Sequence, residues 1–335
     1  MEQVKILVTM PKHRTFYTFF NEDLIKKLEE VGDVSWNESE SEHFTREELC
    51  ERLKDIDIVI TGWGTAILDE EVLSRANKLR LVAHTGGSVR PYVTDAVYDK
   101  GIRVISGNNV FAESVAESVI AYALASLRDI PRFSSDLKQG KWPNSFYNKG
   151  LLDKKIGIVG YGMIAKMTVE MLKPFHPEIK VFSRHIAQEE LDRHGMAKVE
   201  LEEIFSTCDI VSIHSGNTPE NYHLVNEELL NLMPEGSLLI NTARGAIIDE
   251  EALCRVLAKG KINAFLDVYE VEPLPAGHKL MELDNVILMP HMGGPTVDRR
   301  LIVTKSVIED IKQFLAGNPM NCEITQAYAS KMSVG

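Results

Sequence analysis

The sequence predicts an α/β protein built on two doubly wound parallel sheets. Three observations predict it: short apolar runs alternate with amphipathic stretches, a glycine-rich turn separates one such run from a helix-like stretch, and the alternation then begins again. A chain of 335 residues is too long for one ordinary domain and suits two.

The first strand is read at Val4 to Thr9, and the amphipathic Asp23 to Glu30 follows it. Further strands are read at Ile56 to Thr61, Leu79 to His84 and Ile102 to Ser106. Val115 to Leu127 reads as a long helix closed near Pro131. The pattern then breaks between Arg128 and Lys155 into Gln139-Gly140-Lys141-Trp142-Pro143-Asn144, a surface excursion. Its aromatic marks either a dimer contact or an ordinary loop. Strands resume at Ile179 to Phe182, Ile210 to His214, Ser237 to Asn241, Ile262 to Asp267 and Val286 to Met289. A helix over Asp298 to Leu315 is closed by Gly317 and Pro319.

The middle of the chain carries the most specific local signal. The run Lys155-Ile156-Gly157-Ile158-Val159 leads into Gly160-Tyr161-Gly162-Met163-Ile164-Ala165, and a helix-like stretch extends to Lys173. In that context the first glycine permits a tight strand-to-helix turn, and the second lets backbone approach a pyrophosphate. Ala165 is small enough for helix-on-strand packing. The segment is therefore expected to bind a dinucleotide at Gly160, Gly162, Met163 and Ile164.

Composition excludes several alternatives. The formal net charge of −12 and the lack of a concentrated basic face argue against a nucleic-acid partner. No apolar run is read as long enough to cross a bilayer, so no membrane partner is expected. The amino terminus enters a strand pattern directly, without the features of a secretory signal, which makes the cytoplasm the expected location. Cys50, Cys208, Cys254 and Cys322 lack metal-ligand or redox spacing, so thiols are expected and no metal site is.

Three segments after the glycine motif each end a strand with a residue capable of chemistry. Arg244 follows Leu238 to Asn241, where open α/β sheets bind ligands, and its charged fork suits a carboxylate beside a carbonyl. Acids follow the next strand in Asp267-Val268-Tyr269-Glu270-Val271-Glu272-Pro273, and His291 follows the last. Singly, each has an ordinary structural reading. A histidine paired with a carboxylate, however, holds its proton in a defined orientation, as an acid–base step requires.

These segments, in this order, resemble the D-isomer-specific 2-hydroxyacid dehydrogenase family over nearly the whole chain. The matches are Gly160 to Ala165, Asn241 to Gly245, Asp267 to Pro273 and Pro290 to Gly294, with smaller ones at Val115 to Glu117, Gly140 to Trp142 and Thr218 to Glu220. The resemblance implies that Arg244 binds the substrate carboxylate and carbonyl. It makes His291 the acid in reduction and the base in oxidation, and has Glu272 support the imidazolium while Glu270 stays at the surface. It implies that Gly86, Gly87 and Ser88 offer backbone N–H groups to the substrate carboxylate. Asp267 would hold the nicotinamide carboxamide, with Thr242, Ala243, His291 and Gly293 also lining the cofactor. A discontinuous, flavodoxin-like substrate domain, 1–107 with 296–335, and a Rossmann-like domain, 108–295, are implied. So are an active-site cleft between them, two crossing helices and a homodimer.

Departures from the family pattern refine the expectation. No carboxylate stands at Val181-Phe182-Ser183-Arg184-His185, where NAD-preferring members hold the ribose hydroxyls. Ser183 and Arg184 better suit a 2′-phosphate, so NADP is favoured over NAD. Arg90 stands where many relatives have Asp, and a surface ion pair is expected of it in preference to a second anionic group of the substrate. Phe111 occupies the position of an Asn in phosphoglycerate- and formate-type relatives, as in glyoxylate and hydroxypyruvate reductases, which favours a small 2-keto acid. The expected activity is hydride transfer between a nicotinamide and such an acid. D-3-phosphoglycerate oxidation is the alternative within the class, and a dinucleotide-sensing corepressor the alternative outside it. Formate oxidation is disfavoured, since similar enzymes carry Gln at the position of Glu272.

Overall fold

The computed structural model of the chain describes residues 3–143 and 148–332, so Asn144 lies outside the described residues. The chain divides into two compact units, Met1–Ala112 with Pro295–Gly335, and Glu113–Gly294. The sequence drew the first boundary at 107/108, ahead of the long helix, whereas the division falls inside that helix, which runs Asn108–Leu127. Side-chain packing explains the difference. Val110 belongs to the core of the first unit, and Val119, Ala123 and Leu127 belong to the core of the second.

The first unit holds strands β1 (Lys5–Pro11), β2 (Asp33–Asn37), β3 (Ile58–Thr61), β4 (Leu81–His84) and β5 (Arg103–Ser106). They lie in the order β2-β1-β3-β4-β5, all parallel. Alternate residues of β1, β3, β4 and β5 enter opposite cores. Ile6, Val8, Ile58 and Ile60 pack on one face, and Leu7, Val59, Val82 and Val104 on the other. A sheet covered on both sides requires runs that are apolar without interruption, which is why these strands were legible. The carboxy-terminal helix Val297–Leu315 returns to this unit because Val303, Val307, Ile308 and Ile311 complete its first core.

The second unit adds β6 (Lys155–Val159), β7 (Glu178–Phe182), β8 (Ala197–Lys198), β9 (Ile210–Ile213), β10 (Leu238–Asn241), β11 (Asn263–Leu266) and β12 (Val286–Leu288). Its seven strands run parallel in the order β12-β11-β10-β9-β6-β7-β8. The direction of winding reverses between β6 and β9, and ligands bind at the strand carboxyl ends beside such a switch point. The glycine-rich turn leaves β6 at that place.

Three readings of the sequence need correction. Strands β2 and β8 were missed; both are short edge strands with exposed residues, and neither carries a continuous apolar run. Pro131 does not merely close the long helix. The chain turns at Asp129, with φ of 55°, and Pro131 occupies the first turn of a further helix, Ile130–Lys138, where its missing N–H costs nothing. Helix Asn108–Leu127 is also long and apolar enough to cross a membrane by length and composition. Val110 in the first core and Val119, Ala123 and Leu127 in the second account for part of that apolarity.

Candidate active site

The dinucleotide turn is dictated by its glycines. Gly160 has φ of 90°, and a Cβ there would lie 2.7 Å from both the backbone N and Oγ of Ser215, so only glycine fits. Gly162 is different: it caps helix Met163–Leu172 in extended conformation, no side chain caps that helix, and a Cβ at Gly162 would meet nothing within 4 Å. The helix amino terminus, with Met163 and Ile164 in its first turn, thus opens onto space beside backbone that bears no side chain, the form of a pyrophosphate site. Ala165 is fully buried in the core beneath. The residues present fit a dinucleotide.

Ser183 and Arg184 follow β7. The Arg184 guanidinium lies over Phe182 and donates to Asn221 Oδ1 at 2.5 Å and to the Glu220 carbonyl at 3.3 Å. It is therefore held by the turn Pro219–Asn221 and still exposed.

The chemical groups gather at the carboxyl ends of β10, β11 and β12. After β10, Asn241 uses its side chain to hold the turn, accepting from the Ala243 N–H and donating to the Arg244 carbonyl, both at 3.0 Å. The Thr242 hydroxyl is buried without a hydrogen-bond partner, as is Arg244 Nε, while Arg244 Nη1 donates to the Ala243 carbonyl at 2.7 Å. Burial lowers the pKa of the Arg244 guanidinium, and the Glu272 carboxylate opposes that shift. Gly245 must be glycine, because a Cβ there would stand 1.9 Å from the carbonyl carbon of Tyr269.

Glu272 and His291 meet across β11 and β12. His291 Nδ1 donates to Glu272 Oε2 at 2.6 Å, and Glu272 Oε1 accepts the Tyr269 N–H at 3.0 Å. The carboxylate is thereby oriented, and it fixes the ring with Nδ1 protonated toward Glu272, which leaves Nε2 for exchange with a substrate. Glu270 was expected at the surface. It is instead part-buried and paired with His223, while its N–H donates to Glu250 Oε2 at 3.1 Å. The two glutamates therefore serve different histidines.

Asp267 is buried, and burial raises its pKa against the N–H groups of Met292 and Gly293, which it accepts at 2.7 and 2.8 Å. A Cβ on Gly293 would fall 2.8 Å from Asp267 Oδ2, so a side chain there would push the carboxylate off the N–H groups it accepts.

Gly86, Gly87 and Ser88 lie in the other unit, just after β4. A Cβ on Gly86 would stand 2.2 Å from Nε2 of His84, and one on Gly87 would touch Phe111 at 3.3 Å. His84 was not singled out from the sequence. It is buried, bonded through Nδ1 to Thr61 Oγ1 at 3.0 Å, and burial pushes its pKa down to about 3. Arg90 forms no ion pair with a carboxylate among the described residues, contrary to expectation. It lies beside Tyr98, whose hydroxyl burial pushes up to about 12 while Arg90 pulls it down. All four cysteines are free.

The model of the D-isomer specific 2-hydroxyacid dehydrogenase NAD-binding domain matches residues 120–293. The chain belongs to this family. It is 36% identical over 317 residues to a D-3-phosphoglycerate dehydrogenase of Methanocaldococcus jannaschii, covering 94% of this chain and 58% of that one. The chain thus spans little more than half of that relative's length. A glyoxylate reductase of Thermofilum pendens is 34% identical over 303 residues, 88% of each chain. The fold also matches an acyclic imino acid reductase solved with NADPH and D-arginine, at a TM-score of 0.78 and 26% identity over 95% of this chain and 99% of that one.

Proposed function

We propose that this family member is an NAD(P)-dependent oxidoreductase that interconverts a small 2-keto acid of the glyoxylate or hydroxypyruvate type and its D-2-hydroxy acid, with NADP(H) favoured. The observation that carries the reading is the His291–Glu272 hydrogen bond of 2.6 Å, formed beside the buried charge of Arg244. The nicotinamide, when bound, supplies or accepts the hydride.

The chain's own residues do the rest. Arg244 presents a planar fork that orients a carboxylate and polarises the adjacent carbonyl, an attraction strengthened where water is thin. His291 delivers a proton from Nε2 to the forming alkoxide and recovers it in the reverse direction. Glu272 keeps the ring oriented and offsets the positive charge the ring carries before transfer. Gly86, Gly87 and Ser88 are the proposed backbone donors to the substrate carboxylate, and Asp267, Thr242 and Ala243 the proposed neighbours of the nicotinamide. Ser183 and Arg184 would take the 2′-phosphate, which supports NADP(H). Exposed Ile130, Leu137 and Trp142 support a homodimer.

Initial rates with glyoxylate, hydroxypyruvate, pyruvate and phosphohydroxypyruvate, each with NADPH and with NADH, test the proposal. A clear rate with a small 2-keto acid and NADPH is expected. Tight nucleotide binding with no turnover on any acid would instead point to a dinucleotide sensor.

A further inference from the structure

Arg300 stands in the first turn of helix Val297–Leu315, and its guanidinium carbon lies 5.5 Å from the centre of the Phe19 ring and 5.4 Å from that of Trp63. Nε donates to the Pro295 carbonyl and Nη1 to Thr18 Oγ1, both at 3.2 Å. These contacts fix the planar group without supplying negative charge, and they use two of its five N–H donors. Arg46, Arg75, Arg80, Arg103, Arg132 and Arg255 each face a carboxylate. Arg300 faces none among the described residues, and burial lowers its pKa with no carboxylate opposing the shift. A cation held in place between two aromatic rings, with only two of its donors engaged and no carboxylate facing it among the described residues, is a preorganised place for an anion to bind. Arg244 is the other arginine whose pKa burial draws down.

The surroundings tie Arg300 to the loop Gly86–Ser88. Trp63 meets Phe111 edge-on with ring centres 6.1 Å apart, and Phe111 lies against Gly87. One helical turn beyond Arg300, Val303 Cγ1 lies 2.4 Å from the place a Cβ would take on Gly107, and the Gly86 carbonyl oxygen lies 3.4 Å from the same point. Trp63 is 41% exposed, so the collar is open to solvent.

We propose that Arg300, framed by Trp63 and Phe19, is a second anion site of the substrate pocket. It binds 2-keto and D-2-hydroxy acids that carry a carboxylate or phosphate at the end remote from the first carboxylate more tightly than the singly charged glyoxylate- and hydroxypyruvate-type acids, which the same pocket accepts without its help. This rests on the reading that Gly86 to Ser88 receive that first carboxylate, and it makes Arg300 a specificity-determining residue.

Calorimetric titration of the full chain with two matched pairs, D-lactate with D-malate and D-glycerate with D-3-phosphoglycerate, tests it. In at least one pair the more highly charged acid should bind about tenfold more tightly or better, the worth of a charge-assisted bond. The pair that shows the gain distinguishes carboxylate from phosphate. Arg300→Gln should erase the advantage and leave the singly charged acids within about twofold. If that variant fails to fold, Arg300→Lys, which keeps the stem and charge but not the fork, should cut the advantage several-fold. Equal affinity within both pairs, no binding of any acid, or an advantage that survives substitution would overturn the proposal.

Hydride transfer from D-lactate and D-glycerate to added NADP⁺ or NAD⁺, followed in parallel samples, tests the underlying reading separately. Turnover without any preference for the second charge sinks the anion site alone. Preferential binding through Arg300 without turnover sinks the reductase reading and leaves the anion site standing.

Discussion

Asp267 holds the turn that carries His291: its carbonyl accepts the His291 N–H at 2.9 Å, and its two carboxylate oxygens accept the N–H groups of Met292 and Gly293. His291 sits there with φ of 53°, a conformation that residues with a Cβ adopt rarely and that must be held by its surroundings. An Asn at 267 has one acceptor oxygen and would turn its NH₂ toward an N–H. Asp267→Asn should therefore lower kcat at least about tenfold and cost on the order of 1–3 kcal/mol of stability. Denaturant unfolding and single-turnover rates check the two parts.

Glu272→Gln keeps the shape of the pair but removes the charge that supports a protonated ring. Turnover should fall by roughly 10² to 10⁴, and His291→Ala by as much, with nucleotide affinity preserved in the glutamine variant. Arg244→Lys should lose substrate recognition because an ammonium cannot supply two parallel donors. Unchanged kcat in the His291 variant would remove that residue from the mechanism.

The two glycines of the nucleotide turn should respond differently to the same methyl group. At Gly160 the new Cβ meets Ser215 in a left-handed conformation, so Gly160→Ala should lower both Tm and nucleotide affinity. At Gly162 it meets no protein atom, so Gly162→Ala should leave Tm nearly unchanged and weaken nucleotide binding about tenfold or more. Thermal unfolding with and without nucleotide separates the cases.

Arg184 is already positioned by Asn221 and Glu220 before any ligand arrives. On the proposal of NADP(H) preference, Arg184→Ala should reduce the ratio of kcat/KM for NADPH to that for NADH by about tenfold. A ratio that does not move would make the cofactor proposal wrong.

Acid should destabilise the protein through His84. Burial lowers its pKa from 6.5 to about 3 in the folded chain, so between those values the unfolded chain binds a proton that the folded one excludes. The contribution of His84 to stability is thus complete above about pH 6.5 and falls as pH drops toward 3, by about 1.4 kcal/mol per pH unit. His214, lowered to about 4 by burial, acts in the same direction. Unfolding free energies from pH 7 to pH 4 should show a slope that His84→Gln reduces by about one proton.

What was legible in the sequence is what local chemistry dictates. β1, β3, β4 and β5 are covered on both faces, so their runs are apolar throughout, and the glycines of the turn after β6 answer to a single strand-to-helix reversal. Edge strands β2 and β8 carry no such run and stayed hidden. Arg244, Glu272 and His291 could be named because each follows a readable strand, and a parallel sheet brings such ends to one edge.

Which group meets which was legible only in part: the family resemblance paired Glu272 with His291, but nothing in the sequence gave Glu270 its partner. Glu270 and Glu272 are two residues apart, yet only the arrangement of the strand ends sends one to His223 and the other to His291. Asp267 read as a ligand residue and proved also to hold a turn. Arg300 reaches Thr18 across 282 positions of sequence and stacks on Phe19 and Trp63, so nothing near it in the chain marks it. Periodicity and turn chemistry are properties of neighbours in sequence and determine the strands, the helices and the nucleotide turn. The partner of a charge depends on which distant elements pack beside it, and that was decided only when the chain folded.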